Sequence, residues 1–169
     1  MLENQGPVMH EVNIEIARLE ANTPELQTCA EWRYDAFLQS YGYSLFDSRA
    51  QLAKLATEPE GCETAVIALA GGRLAGICLL VLNEFEAMHD VSPWLASLYV
   101  APGYRKLGVA RKLVAAIEEH ARRNGVTRLH LYTGDAQAFY LKCGWTLAEQ
   151  GMADGEAYAF MIRDLQPSR

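Results

Sequence analysis

One short segment of the chain has the composition of an anion-binding turn. An apolar stretch ends at Val100, residues 102–110 read Pro-Gly-Tyr-Arg-Lys-Leu-Gly-Val-Ala, and a helical pattern follows. The first N–H groups of a helix lack partners within it and lie at the positive end of its dipole, so they bind phosphate groups well. Gly108 allows a close approach to the backbone, and Arg105 and Lys106 add positive charge. The segment predicts a diphosphate site, although the same spacing occurs in ordinary strand–helix turns.

A tyrosine in a second segment could supply a proton. Residues 136–145 read Ala-Gln-Ala-Phe-Tyr-Leu-Lys-Cys-Gly-Trp, which places Tyr140 on a short predicted helix. A phenol titrates near about 10, so it stays protonated at neutral pH and can donate to a group on which negative charge develops. A buried aromatic role beside Phe139 is the alternative. We interpret Cys143 as a packing residue, because no base lies near it in the sequence.

The elements that would position these segments follow from hydrophobic periodicity and turn signals. Strands are predicted at residues 12–19, 64–70, 73–82, 93–100, 128–132, 146–150 and 156–163. Helices are predicted at residues 26–42, from residue 47 or 48 to Pro59, at 108–124 and at 135–142. The strand–helix–strand unit over residues 93–132 should be parallel and right-handed. This order predicts an α/β domain with a mixed sheet.

Bulk properties narrow the class of protein. The 169 residues fit one domain, residues 1–169, and no run reaches the ~18 apolar residues of a membrane span. The start lacks the layout of a secretion signal, and the four cysteines form no C-x-x-C pair, so we expect a cytoplasmic protein with reduced thiols and no metal. A net charge of −6 argues against nucleic acid. It suits a cationic substrate, and equally plain solubility.

Together, residues 93–145 resemble the GNAT superfamily of acyl-CoA N-acyltransferases. The resemblance rests on the phosphate loop, the strand after its helix, and the pattern of Ala136, Phe139, Tyr140, Gly144 and Trp145. It implies the GNAT fold, a mixed central sheet of about seven strands flanked by about four helices. It further implies direct transfer of an acetyl group from acetyl-CoA to a primary amine, which we expect on a small molecule. A protein or peptide acceptor, a non-catalytic acyl-CoA sensor and a homodimer stay open.

The resemblance also assigns roles to residues. Loop amides would bind the pyrophosphate of acetyl-CoA, the preceding strand would bind its pantetheine arm, and Tyr140 would protonate the departing thiolate. The predicted cofactor-binding residues are Leu98, Tyr99, Val100, Arg105, Lys106, Leu107, Gly108, Val109, Ala110 and Arg111.

The general base departs from the family pattern. Many relatives carry a glutamate on the strand before the loop, where this chain has Trp94 and no carboxylate. The loop upstream offers Glu84, Glu86, His89 and Asp90, of which we predict Asp90. Histidine is attractive because it changes charge near neutral pH. A substrate that binds as free amine would need no base.

The acceptor site is expected opposite the cofactor, between the first helices and the last hairpin. Asp35 and Asp47 could attract a cation there, although the aromatic residues of these segments could equally form core. Those residues are Trp32, Tyr34, Phe37, Tyr41, Tyr43, Phe46, Tyr158 and Phe160, with Met152 beside them. The remaining histidines, His10, His120 and His130, are interpreted as structural or surface residues.

Overall fold

The computed structural model describes residues 12–84 and 87–167, so the interpretations of His10 and Glu86 lie outside the described residues. The strands are β1 (Ile14–Arg18), β2 (Thr64–Ala70), β3 (Arg73–Val81), β4 (Trp94–Val100), β5 (Arg128–Thr133), β6 (Thr146–Ala153) and β7 (Glu156–Asp164). The α-helices are α1 (Pro24–Arg33), α2 (Leu45–Thr57), α3 (Val109–Arg123) and α4 (Gln137–Lys142).

These strands form one seven-stranded sheet in the order β1-β2-β3-β4-β5-β7-β6. Neighbouring strands are antiparallel except β4 and β5, which are parallel as their connection through α3 predicts. The expected α/β class, mixed sheet and number of helices are confirmed. A single domain over residues 1–169 stays a prediction.

The parallel pair β4 and β5 is joined at one end only. Its ladder contains one residue pair, Trp94 opposite His130, supported by a hydrogen bond from the His130 amide to the Pro93 carbonyl at 3.2 Å. Beyond this pair the two strands no longer share a ladder. A gap therefore opens in the middle of the sheet, on the side where β4 leads into α3.

Each face of the sheet has its own core. Leu95, Leu129 and Leu131 belong to the core beneath α3 and α4, together with Leu113 and Ile117 of α3. The opposite face packs on α1 and α2 through a separate cluster that includes residues of β2 and β3. Side chains alternate along a strand, and on β5 His130 and Tyr132 alternate with Leu129 and Leu131. His130 and Tyr132 therefore lie on the α1/α2 face.

The first helical region differs from the predicted continuous helix 26–42. The α-helix ends at Arg33, a π-helical turn covers Tyr34–Leu38, and a short 3₁₀ turn (Gln39–Tyr41) ends at Gly42, which has φ +83°. A change of hydrogen-bond spacing leaves no trace in apolar periodicity, which is why the sequence did not indicate it.

Helix α2 begins at Leu45, earlier than the predicted start at residue 47 or 48. Ser44 Oγ accepts from the Asp47 amide at 3.0 Å, and the Asp47 carboxylate accepts from the Ser44 amide at 2.8 Å. This reciprocal capping box fixes the first turn. It also gives Asp47 a role in capping the helix, and the attraction of a cation by Asp47 stays a prediction.

Other element boundaries shift by a few residues, and the charged residues of α3 form ion pairs. Thr133 Oγ1 accepts from the Ala136 amide at 3.0 Å, so α4 starts at Gln137 instead of residue 135. On α3, Glu119 binds both Arg122 and Arg123. Glu118 accepts from the Trp145 indole at 3.1 Å and forms an ion pair with Arg163. The strand β6 extends three residues beyond the predicted end.

Substituting Gly144 by alanine should destabilise the fold by about 2–4 kcal/mol. Gly144 has φ +93°, and a Cβ there would collide with the guanidinium of Arg163, which donates to the Gly144 carbonyl at 2.6 Å. Urea unfolding measures the loss, with Gly155→Ala as control. Gly155 also has a positive φ, +82°, but a Cβ there would meet nothing within 4 Å. Equal losses in both variants would show that backbone strain alone matters.

Candidate active site

The predicted phosphate loop is an exposed turn at the start of α3. None of the main-chain N–H groups of residues 106–111 donates a hydrogen bond within the part of the chain that the structure describes. Lys106 (φ +64°) and Gly108 (φ +81°) both adopt left-handed conformations, which turns consecutive amides toward one side. The loop therefore presents six N–H groups at the positive end of a fifteen-residue helix, as an anion site requires.

Arg105 does not point away from the fold. Its Nε donates to the Val100 carbonyl at 3.0 Å, and its guanidinium carbon lies 5.8 Å from the centre of the Tyr99 ring. The side chain thus ties the loop back to the end of β4. Its positive charge lies at the mouth of the gap between β4 and β5.

The strand β4 carries a bulge beside this gap. Its ladder with β3 shifts register between Ile77 and Leu79, and Ser97 adopts φ +53°. Beyond the bulge Leu98 and Val100 are half-buried, while Tyr99 packs on Trp32 with ring centres 5.2 Å apart. The predicted pantetheine segment is therefore a strand edge without a partner strand on its β5 side.

A buried cation that the sequence did not indicate holds the bulge in place. Arg33, 6% exposed, donates from Nε to Ser97 Oγ at 2.9 Å and from Nη1 to the Gln51 side chain at 3.0 Å. Burial lowers its pKa to about 10, against the attraction of Glu84. Nothing in its helical spacing marks Arg33, because its partners lie on other elements.

Tyr140 lies on the α3/α4 face of the sheet, beneath the gap. Its ring packs edge-on against Phe139 and Trp145, and its hydroxyl makes no hydrogen bond to any described residue. Burial, with smaller contributions from Cys78 and Cys143, raises its pKa well above the usual phenol range. Cys78 itself is next to the β4 bulge, because its Sγ lies 3.8 Å from the Ala96 carbonyl. Tyr140 is therefore a protonated donor near the strand edge.

The predicted base, Asp90, has no contact that supports its role. It is exposed and forms no hydrogen bond or ion pair with any residue the structure describes. Its neighbour His89 is held on both ring nitrogens: Nδ1 lies 2.7 Å from the Tyr132 hydroxyl, and Nε2 lies 2.7 Å from the Glu149 carboxylate. The role of Asp90 stays a prediction, and the geometry favours His89.

His89 sits on an aromatic surface formed by β4, β5 and β7. Its ring stacks on Phe160 with centres 4.1 Å apart, and Tyr132 stacks on Trp94 at 4.7 Å. Tyr158 packs edge-on against Tyr132, 5.9 Å away. This aromatic cluster lies on the α1/α2 face, opposite Tyr140. The expected acceptor residues Tyr158 and Phe160 belong to it.

The remaining expected acceptor residues are less concentrated. Trp32 packs on β4 as described, whereas Phe46 is 79% exposed at the start of α2 and Met152 is exposed on the β6–β7 hairpin. The sequence did not indicate the contacts that Tyr132 and Glu149 make. It indicated only that side chains alternate along β5, the strand that carries Tyr132. Sixty positions separate Glu149 from His89.

The other nucleophilic and titratable groups are structural. His120 contacts the Cys62 carbonyl, and His130 contacts the Pro93 carbonyl, each at 3.0 Å. Desolvation raises the pKa of Cys143, which keeps that thiol protonated and agrees with a packing role. All four cysteines are free.

No group of three or more histidine, cysteine or acidic side chains in residues 12–84 and 87–167 could hold a metal ion. Over the same residues, no helix has the length and apolar content to cross a bilayer.

Acetyltransferases solved with coenzyme A or acetyl-CoA share this fold, which places the chain in a class of acyl-CoA-dependent transferases. The sequence profile of the acetyltransferase (GNAT) family matches residues 26–145. The chain belongs to this family. Membership confirms the acetyltransferase activity with acetyl-CoA as donor that the resemblance implied.

Solved structures agree on the fold. An aminoglycoside 6'-N-acetyltransferase complexed with coenzyme A matches with a TM-score of 0.72 at 17% identity, over 92% of this chain and 99% of that one. An aminoglycoside 6'-acetyltransferase type Ii gives 0.71 at 20% identity, over 92% and 99%. The yncA protein of Salmonella typhimurium with acetyl-CoA gives 0.69 at 17% identity, over 90% and 94%. A search of curated proteins finds no match.

Proposed function

We propose that this protein transfers the acetyl group of acetyl-CoA directly to a primary amine of a small molecule. One observation carries the proposal: the six consecutive amides of residues 106–111, which have no hydrogen-bond partner among the described residues, adjoin a strand edge that β5 leaves free. Diphosphate oxygens accept from such amides, and an extended amide-containing arm can hydrogen-bond a strand edge. Gly108 and Ala110 keep the turn clear of side chains, so the residues present fit the co-substrate.

The chemistry divides between the two faces of the sheet. The thioester carbonyl carbon takes the amine lone pair, a C–N bond forms, and the C–S bond breaks. Tyr140 on the α3/α4 face donates its proton to the departing sulfur, and the proton lost by the new amide nitrogen restores Tyr140 through solvent. The amine reaches the carbonyl from the α1/α2 face, where the aromatic cluster lies.

Coverage of that face favours a small acceptor over a protein. The amides of Met88 and His89 both donate to the Tyr132 hydroxyl at 3.0 Å, and His89 reaches across to Glu149 on β6. Met88 and His89 therefore lie over the aromatic cluster, whereas a polypeptide acceptor needs an open groove. Aminoglycoside acetyltransferases among the structural neighbours, and the net charge of −6, are compatible with a polyamine or aminoglycoside.

Release of coenzyme A thiol tests this function. Acetyl-CoA is mixed with spermidine, kanamycin or a short peptide with a free α-amine, and the thiol is followed with a chromogenic reagent. We expect release with a small amine and little with the peptide. Faster release with the peptide would favour a protein acetyltransferase, and tight acetyl-CoA binding without release would favour a sensor. The cytoplasmic location and a homodimer stay predictions.

A further inference from the structure

We propose that Tyr132, His89 and Glu149 form a proton relay that deprotonates the acceptor amine, in place of the strand glutamate that this chain lacks. The inference rests on the proposed function and names the groups that accept the proton. Tyr132 contacts the amine, His89 stores its proton, and Glu149 positions and stabilises His89.

The hydrogen bonds assign the protons of the relay. The Tyr132 oxygen accepts from the Met88 and His89 amides, so its own hydroxyl proton is directed to the third partner, His89 Nδ1, at 2.7 Å. Nδ1 is then an acceptor, and the proton of the neutral ring lies on Nε2, where it is donated to Glu149 Oε2 at 2.7 Å. Stacking on Phe160 holds the plane of the ring.

The relay lies where a protonated amine would need it. In the parallel register set by Trp94 and His130, Tyr132 faces the level of Ala96, two residues beyond the single pair of the β4–β5 ladder. Tyr132 is on the α1/α2 face, across the sheet from Tyr140. The two tyrosines thus lie on opposite faces of the sheet, as an acid for sulfur and a base for nitrogen require.

The transfer balances as follows. The Tyr132 proton moves to His89 Nδ1, giving an imidazolium that keeps its bond to the Glu149 carboxylate. The phenolate oxygen has three lone pairs: the imidazolium N–H and one loop amide keep two, and the third, which the other amide gives up, takes one proton from the substrate ammonium. The neutral amine then attacks. His89 returns its proton to solvent, which reaches the half-exposed Glu149 side chain.

The groups around the relay shift the pKa values of Glu149 and Tyr132 in opposite directions. The hydrogen bond from His89 is the main cause that lowers the pKa of Glu149, so the carboxylate is ionised at neutral pH. Tyr158 donates to the same carboxylate at 3.2 Å. Burial raises the pKa of Tyr132, with Glu84 and Glu149 adding to it, while the two amides lower it. His130 lies on the same face, and burial lowers its pKa, which favours the neutral ring.

The test compares His89→Gln, Tyr132→Phe and Glu149→Gln with two controls, His120→Gln on α3 and Glu156→Gln on β7. The amine used is whichever of spermidine and kanamycin the wild type acetylates faster. At pH 7 we expect kcat/KM to fall about 30-fold in His89→Gln and Tyr132→Phe, and about tenfold in Glu149→Gln. These losses are smaller than the ~10²–10⁴ that a general base can contribute, because part of the amine is already neutral. Acetyl-CoA affinity and both controls should be unchanged.

The pH profile separates a relay from a structural role. Because the base is needed only for protonated amine, the deficit of the three variants should shrink by up to about tenfold per pH unit as pH rises toward the amine's own pKa. A deficit independent of pH, or equal in the controls, would overturn the relay while leaving the transferase intact. Absence of thiol release in wild type would instead overturn the proposed function. Nitrogen-15 spectra of His89 test the geometry in either case: a proton on Nδ1 instead of Nε2 contradicts it.

Discussion

Ala110→Glu should weaken acetyl-CoA binding by about 100-fold without destabilising the protein. Ala110 lies in the first turn of α3, among amides that have no partner in the described chain. A carboxylate there repels the diphosphate and competes for its N–H groups. Loss of one or two charge-assisted hydrogen bonds, each ~1.5–3 kcal/mol, gives this magnitude. Isothermal titration calorimetry with acetyl-CoA measures it.

The same carboxylate should leave the fold intact or slightly stabilise it, because negative charge at a helix N-terminus is favourable by about 0.3–1 kcal/mol. This separates binding from folding in one variant. Ala115→Glu is the matched control, since Ala115 is exposed on the same helix but beyond its first turn. Equal affinities of the two variants for acetyl-CoA would mean that the loop does not hold the diphosphate.

Tyr140→Phe should lower kcat by about 10²–10³ while acetyl-CoA affinity stays within a few-fold of wild type. Only the hydroxyl is removed, and it has no partner among the described residues, so its loss leaves no polar group unsatisfied. General acid catalysis contributes typically about 10²–10⁴, and coenzyme A thiolate is already a fair leaving group, which places the effect in the lower part of that range.

The pH dependence of the two rates tests whether Tyr140 acts as the acid. Burial raises its pKa above the usual phenol value, so the hydroxyl stays protonated through neutral and mildly alkaline pH. The ratio of wild-type to Tyr140→Phe rates should therefore be constant from about pH 6 to pH 9. Phe139→Leu is the control for altered packing of the same helix. A ratio that falls toward one below pH 9 would mean that Tyr140 loses its proton there or does not act as the acid.

Most of the fold could be predicted from local patterns in the sequence. The apolar stripe of α3 and the glycine before it depend on neighbours within about four residues, so this helix and the turn before it were placed correctly. The first helical region was less predictable, because the π-helical turn after Arg33 and the reciprocal cap of Ser44 and Asp47 change hydrogen-bond geometry without changing apolar spacing.

The candidate base could not be identified from the sequence alone. His89 and Asp90 are adjacent in an irregular loop, and sequence alone could not say which side chain turns toward the sheet. The loop is held by Tyr132 on β5, and the imidazole by Glu149 on β6, partners 43 and 60 positions away. Such contacts follow from the order of strands in the sheet, which local periodicity does not contain.

Amide chemical shifts measured during addition of acetyl-CoA to nitrogen-15-labelled protein test the central claim most directly. If the free amides at the start of α3 and the free edge of β4 hold the co-substrate, signals of residues 106–111 and 97–100 should move the most, while those of β1 and α2 stay in place. Saturable shifts confined to other parts of the chain, with the loop signals unchanged, would contradict the account.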